Sequence, residues 1–128
     1  MASFASRIGT AALVVVLASA QLTAHHYGLS AYDGSTAVRI SGVLARVEWA
    51  NPHAKLHVDA RTGAGATEEW IAETGSPNTL VRHGLDKSRL PLGQLVTLSG
   101  FRARDGSRSM IVRVLTLPGG STIDLSQQ

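Results

Sequence analysis

The 128-residue chain contains no cysteine. That excludes disulfides, thiolate metal sites, thiol nucleophiles and a lipid-modified N-terminal cysteine. Aromatics are scarce, two each of Trp, Tyr and Phe, too few for the stacking surface of a nucleic-acid binder. Neither sign of charge dominates, the formal net charge being +3. The charges are interspersed, apart from a loose basic group of Arg102, Arg104 and Arg108. That group reads as a solvated hairpin before it reads as an anion site. Long apolar runs are also rare. The one present, residues 8–17, is too short for a mature membrane-spanning helix, so no stable membrane anchor is expected.

That run sits in a pattern of its own. Arg7 precedes it and small residues follow it, with Ala18-Ser19-Ala20 and Leu22-Thr23-Ala24 as alternative cleavage sites. Residues 1–24 are therefore expected to be a cleaved signal peptide, and the product to be periplasmic or secreted. Cleavage after Ala24 leaves about 104 residues, enough for one small domain with a single core and not for two. Without disulfides, that domain must hold together by packing alone. Removing Arg7 lowers the net charge to +2, because 11 basic residues then face 9 acidic ones.

Along the mature chain, residues 25–36 show no periodicity and read as an irregular arm. A single β-barrel domain is expected over residues 37–128. Val38 and Ile40 share one face. After Gly42 the apolar set becomes Val43, Ala45, Val47 and Trp49, on the opposite parity. A parity switch at a glycine predicts a bulge or bend in a long first strand. Asn51-Pro52 is a turn signal. Residues 54–60 then alternate, with Ala54, Leu56, Val58 and Ala60 on one face and Lys55, His57 and Asp59 on the other. Residues 61–66, with Gly63 and Gly65, form a hairpin loop. The third strand is expected over residues 68–74.

Ser76-Pro77 predicts a helix start, serine as N-cap and proline at the first helical position. The helix would cover residues 78–83, stop at Gly84, and pack Leu80 and Val81 on the barrel. Residues 94–102 and 110–117 are the last two strands, joined at Asp105-Gly106. Pro118-Gly119-Gly120 then turns the chain into a short tail. The fold class is thus all-β with one short helix. The β-β-β-α-β-β order is that of a small five-stranded barrel of the OB type, with an SH3-like barrel or sandwich as the competing arrangement.

Four segments together carry a resemblance. They are His25-His26, residues 42–53 ending in Glu48-Trp49-Ala50-Asn51-Pro52-His53, residues 70–78 ending in Gly75-Ser76-Pro77-Asn78, and residues 96–107. They resemble a family of small exported bacterial proteins classed as a domain of unknown function, across essentially the whole mature chain. The Glu-Trp-x-Asn-Pro-His and Gly-Ser-Pro-Asn stretches are the most specific parts. The resemblance implies export, a compact β-rich domain and a mature protein starting at the histidine pair. It supplies no catalytic residues.

Two places offer binding chemistry. The first is the new N-terminus. The α-amine and Nδ1 of His25 can chelate one ion, and His26 or His53 can complete a three-nitrogen set. Nitrogen donors suit Cu(II) best, then Ni(II) and Zn(II). The α-amine titrates at about pH 8, so it is available at modest cost in protons. The bland alternative is a frayed terminus. The second place is the Trp49-Ala50-Asn51-Pro52-His53 turn. Asn51 and Pro52 pre-form it, His53 projects from it, and Trp49 could wall a pocket. Its bland alternative is a plain turn beside a core tryptophan.

The remaining polar residues read as structural. His53 and His57 lie about 13 Å apart along a strand, too far to share an ion easily, and His57 is expected in a solvated or ligand-facing row with Lys55 and Asp59. His83 suits the helix C-terminus. Glu48, Glu69 and Glu73 are not paired by spacing, and Ser76 lacks a nucleophile setting. No catalytic residues are expected. The leading expectation is an exported binding protein that takes a small ligand or transition metal. A metal-free module contacting another envelope protein is second, and an enzyme is last.

Overall fold

The computed structural model describes residues 30–126, so His25 and His26 lie outside the described residues. Six strands form one sheet in the order β3-β2-β1-β4-β5-β6, and β3 also pairs with β5. The strands are β1 (Tyr32–Glu48), β2 (Lys55–Arg61), β3 (Thr67–Glu73), β4 (Leu95–Ala103), β5 (Ser109–Thr116) and β6 (Thr122–Asp124). A short helix α1 (Pro77–Arg82) lies between β3 and β4. Neighbours are antiparallel except β3 and β5, whose parallel pairing of residues 71–73 with 109–111 closes a five-strand ring. This ring, with its helix after the third strand, has OB-like topology.

β1 belongs to both sides of the ring. Its first part pairs with β4 and its last part with β2, and Gly42 and Val43 stand in both ladders. The change of parity exists, but it falls at Ala45 rather than at Gly42. The register slips by one residue between Leu44 and Arg46. Before the slip Val38, Ile40, Gly42 and Leu44 face inward; after it Val47 and Trp49 do. Val43, expected inside, is therefore exposed. Gly42 has a different role. A Cβ there would meet the backbone of Asp59, with its carbonyl carbon at 2.7 Å. The glycine is needed for strand contact, not for the bend.

Two other boundaries differ from the sequence reading. Strand pairing starts at Tyr32, inside the expected irregular arm, and residues 33–36 bulge out before pairing resumes at Ala37. The Asp33 carboxylate organises the bulge, accepting from Ser35 N at 2.9 Å and Thr36 Oγ1 at 2.7 Å. At the other end, the short tail contains a strand, β6. It pairs with β5 over residues 122–124 and delivers Leu125, fully buried, into the core.

The alternation of β2 is as expected, with Ala54, Leu56, Val58 and Ala60 inside. Ala54, Leu56 and Val58 join Leu44, Ala72, Leu80, Leu85, Val96, Leu98, Met110, Val112 and Leu115 in one apolar cluster. Burial at about 25 cal/mol per Å² of apolar surface is what holds a cysteine-free domain of this size.

Helix α1 starts as its sequence predicts. Ser76 Oγ accepts from Thr79 N at 3.2 Å, Pro77 fills the first turn, and His83 caps the C-terminus. Gly84 follows with φ of 80°, a left-handed stop. The helix buries Leu80 alone, while Val81 is 54% exposed. Six residues cannot point two adjacent side chains at the same floor. With so little buried surface, the cap matters. Ser76→Ala is expected to lower stability by about 1 kcal/mol, readable as a shifted urea midpoint with an unchanged slope.

Candidate functional site

The chain between β1 and β2 turns through a cis Asn51–Pro52 bond. The turn is anchored from below. Ala54 N donates to Gly75 O, and Thr74 donates from both N and Oγ1 to Ala54 O, each at 3.0 Å. Thr74 is buried and fully partnered. This staple fixes the end of the turn against the end of β3.

Above it lies a surface recess of about 270 Å³, lined by Glu48, Ala50, Asn51, Pro52, His53, Lys55 and Glu73. Three strand ends supply its polar groups. In register, Lys55 stands opposite Glu48 on one side and opposite Glu73 on the other. A cation thus sits between two carboxylates, all on the outer face of the barrel.

His53 stands at the rim with 42% of its side chain exposed, and its Nδ1 hydrogen-bonds Glu73 Oε1. The other Glu73 oxygen accepts from the Tyr32 hydroxyl at 2.8 Å. Tyr32 is buried. Burial, reinforced by the neighbouring Glu73 carboxylate, pushes its phenol well above the ordinary range, so it acts as a donor throughout the physiological range.

Next to the recess is the residue most at odds with the sequence reading. His57 faces outward yet its side chain is only 4% exposed. Its Nε2 lies 2.8 Å from Glu48 Oε1. Its Nδ1 lies between Glu69 Oε1 at 2.7 Å and Arg46 Nη2 at 3.0 Å. A protonated Nδ1 donates to Glu69; a bare one accepts from Arg46. Arg46 also donates to Glu48 Oε1 at 2.6 Å. The hydrogen bonds from Arg46 and then His57 hold the Glu48 carboxyl below its usual value. His57 keeps the outward face it shares with Lys55 and Asp59, but it is a buried member of an ionic cluster rather than a solvated or ligand-facing residue. Arg46 and Ile71 flank it as its register partners.

Of the sequence-derived candidates, Asn51 and His53 come together at the recess. Trp49 does not line it. The slip at Ala45 turns Trp49 inward, where it packs against the core cluster. His25 and His26 lie outside the described residues, and among the described residues no group of three or more His, Cys, Asp or Glu is placed to hold a metal. His53 and His57 engage separate carboxylates and share nothing. The sequence reading also missed that Glu48 and Glu73 meet at one recess. The signal available was hairpin register, since two antiparallel turns set both opposite Lys55.

The basic group Arg102, Arg104 and Arg108 binds its own protein. Arg102 lies over the Trp70 ring at 5.4 Å and donates to Gly106 O at 2.8 Å. Arg104 donates to Ser30 O at 3.0 Å, and Arg108 to Glu68 Oε1 at 2.6 Å.

A closed ring with a short α-helix after its third strand and a turn-built recess at its first hairpin defines a small OB-like barrel. Among the described residues no helix is long and apolar enough to cross a membrane. The chain belongs to the family of unknown function DUF6152, whose sequence pattern matches residues 12–112. No curated protein matches it.

Proposed function

We propose that the chain is exported, loses residues 1–24 and serves in the periplasm or outside the cell as a soluble binding protein. Its ligand sits at the recess beside the Asn51–Pro52 turn, the region where OB-type barrels take ligands. A transition-metal ion fits the donor chemistry best, Cu(II) before Ni(II) or Zn(II). His53 contributes one imidazole from the rim. His25 contributes its α-amine and ring, and His26 a further ring. The reading is of a binding protein rather than an enzyme, because the sequence offers no nucleophile and base in a shared setting.

The observation that supports this reading is the placement of His53. Its exposed ring stands at the mouth of a polar recess, with Nδ1 already occupied by Glu73. One imidazole does not make a metal centre, which is why the reading needs the terminal histidines.

The test begins with the mass of the exported protein, expected to start at His25. Copper titration then compares it with a form carrying one extra alanine before His25 and with His53→Ala. Each change is expected to weaken binding at least as much as the roughly 10–100-fold that losing an outer-shell contact costs. Equal binding by all three, or a mature chain that retains residues 1–24, overturns the metal assignment.

A metal-free envelope module is the second reading. It is favoured by Val43 and Leu95, which face each other across β1 and β4 and are 41% and 62% exposed. Native mass spectrometry of the envelope fraction separates the two, since only this reading expects a stable protein complex without metal.

A further inference from the structure

The geometry points to Glu73, held from its far side by Tyr32, as the positioning residue that fixes the tautomer of His53, so that Nε2 is the nitrogen presented to a ligand. The functional meaning rests on the binding reading above; the tautomer itself does not.

The inference follows from who can donate to whom. Glu73 as a carboxylate has only acceptor oxygens. Oε2 accepts from the Tyr32 hydroxyl, so Glu73 is held from its far side by a buried donor. Oε1 faces His53 Nδ1. A neutral imidazole meets an acceptor at Nδ1 only by placing its hydrogen there, which leaves Nε2 with its lone pair. The Nδ1–H form is not the one a free imidazole prefers in water, so the protein selects it. A carboxylate behind a histidine is the arrangement that orients ligating imidazoles and raises their basicity.

The chain of contacts spans the fold. Tyr32 opens β1, Glu73 ends β3, and His53 follows the β1–β2 turn. Glu73 lies 41 positions from Tyr32 and 20 from His53 in sequence. Tyr32 is buried and Glu73 is 20% exposed at its side chain. The rim imidazole is therefore braced by the barrel rather than left to rotate freely on its turn.

Long-range ¹H–¹⁵N correlation of the metal-free protein at about pH 9, well above the ordinary imidazole range, reads the tautomer directly. The native chain is expected to show a pyrrole-type Nδ1 and a pyridine-type Nε2 at His53. Glu73→Met, which keeps volume without a strong acceptor, is expected to return His53 to the Nε2–H form. Tyr32→Phe is expected to keep the Nδ1–H form, because Glu73 remains. Glu73→Ala replaces Glu73→Met where the latter does not fold. An Nε2–H ring in the native protein, or a tautomer unmoved by loss of the Glu73 carboxylate, overturns the inference. Copper affinity is a separate readout. A Glu73→Met loss of about tenfold supports both readings, whereas an Nδ1–H tautomer in a protein that binds no copper leaves the positioning intact and sinks the metal.

Discussion

Gly100→Ala is expected to cost more than about 4 kcal/mol or to abolish folding, an effect at the far end of what single substitutions do. The cause is backbone against backbone. A Cβ at this position would meet the carbonyl oxygen of Ile111, with the Ile111 carbonyl carbon at 2.9 Å and Val112 Cα at 3.1 Å. None of these atoms belongs to a flexible side chain that can swing aside. Relief requires β4 and β5 to separate where the register already slips between Ser99 and Gly100. Those two strands help close the ring, so the strain cannot be confined to an edge. A domain of this size has only about 5–15 kcal/mol in total. Gly63→Ala is the control. It lies in the β2–β3 loop with nothing within 4 Å of the added methyl, and it is expected to be neutral or to stabilise by a few tenths of a kcal/mol. Urea unfolding of both variants checks the pair. A Gly100→Ala protein with a native midpoint would mean that the two strands do not approach as described.

Local patterns in the sequence carried the parts of the fold that local forces decide. The alternation of residues 54–60 marks β2 because one face of that strand is wholly apolar. Ser76-Pro77 marks α1 because capping is satisfied within four residues. The order of three strands, helix and two strands leads to the OB-like ring without knowledge of any long-range contact. What was misplaced depends on partners distant in the chain. The bulge at Ala45 is set by how β1 passes from one neighbour to the other, and nothing at Ala45 itself announces it. Gly42, where the apolar parity changes in the sequence, is required by the approach of Asp59 instead. Val43 was put on the wrong face as a direct result, while Val47 and Trp49, beyond the slip, do face the core. β6 escaped notice because three residues around Ile123 are too few to show a period.

The same division runs through the candidate site. Asn51, Pro52 and His53 could be read as a projecting turn because turn chemistry is local. Glu73 and Tyr32 could not be attached to His53, since their contacts bridge 20 and 41 residues. Glu48 and Glu73 looked like isolated strand carboxylates, and only the pairing of both strands with β2 brings them to Lys55. His57 shows the limit most sharply. Its outward parity was correct, and outward is normally wet. It is buried because Arg46 and Glu48 from β1 and Glu69 from β3 surround it.

His57→Ala is accordingly expected to lower stability by about 2–3 kcal/mol, combining a lost buried ring with the loss of charge-assisted hydrogen bonds. The ring is the shared centre of the cluster. Glu48 Oε1, Glu69 Oε1 and Arg46 Nη2 all lie within 3.0 Å of one of its nitrogens. Removing a peripheral member is a smaller event. Glu69 has 52% of its side chain exposed, and without it His57 Nδ1 still accepts from Arg46, so Glu69→Ala is expected to cost less than about 1 kcal/mol. The contrast between the two variants is the measurement, taken from urea midpoints at neutral pH. If both cost the same small amount, His57 is not the keystone of this face. The consequence extends to the recess, because Glu48 belongs to both structures. With His57 absent, Glu48 keeps only Arg46 from its own strand, two residues away, and the carboxylate at the recess loses its anchor to β2. The buried histidine on the outer face thus ties the stability of the three-strand surface to the shape of the recess.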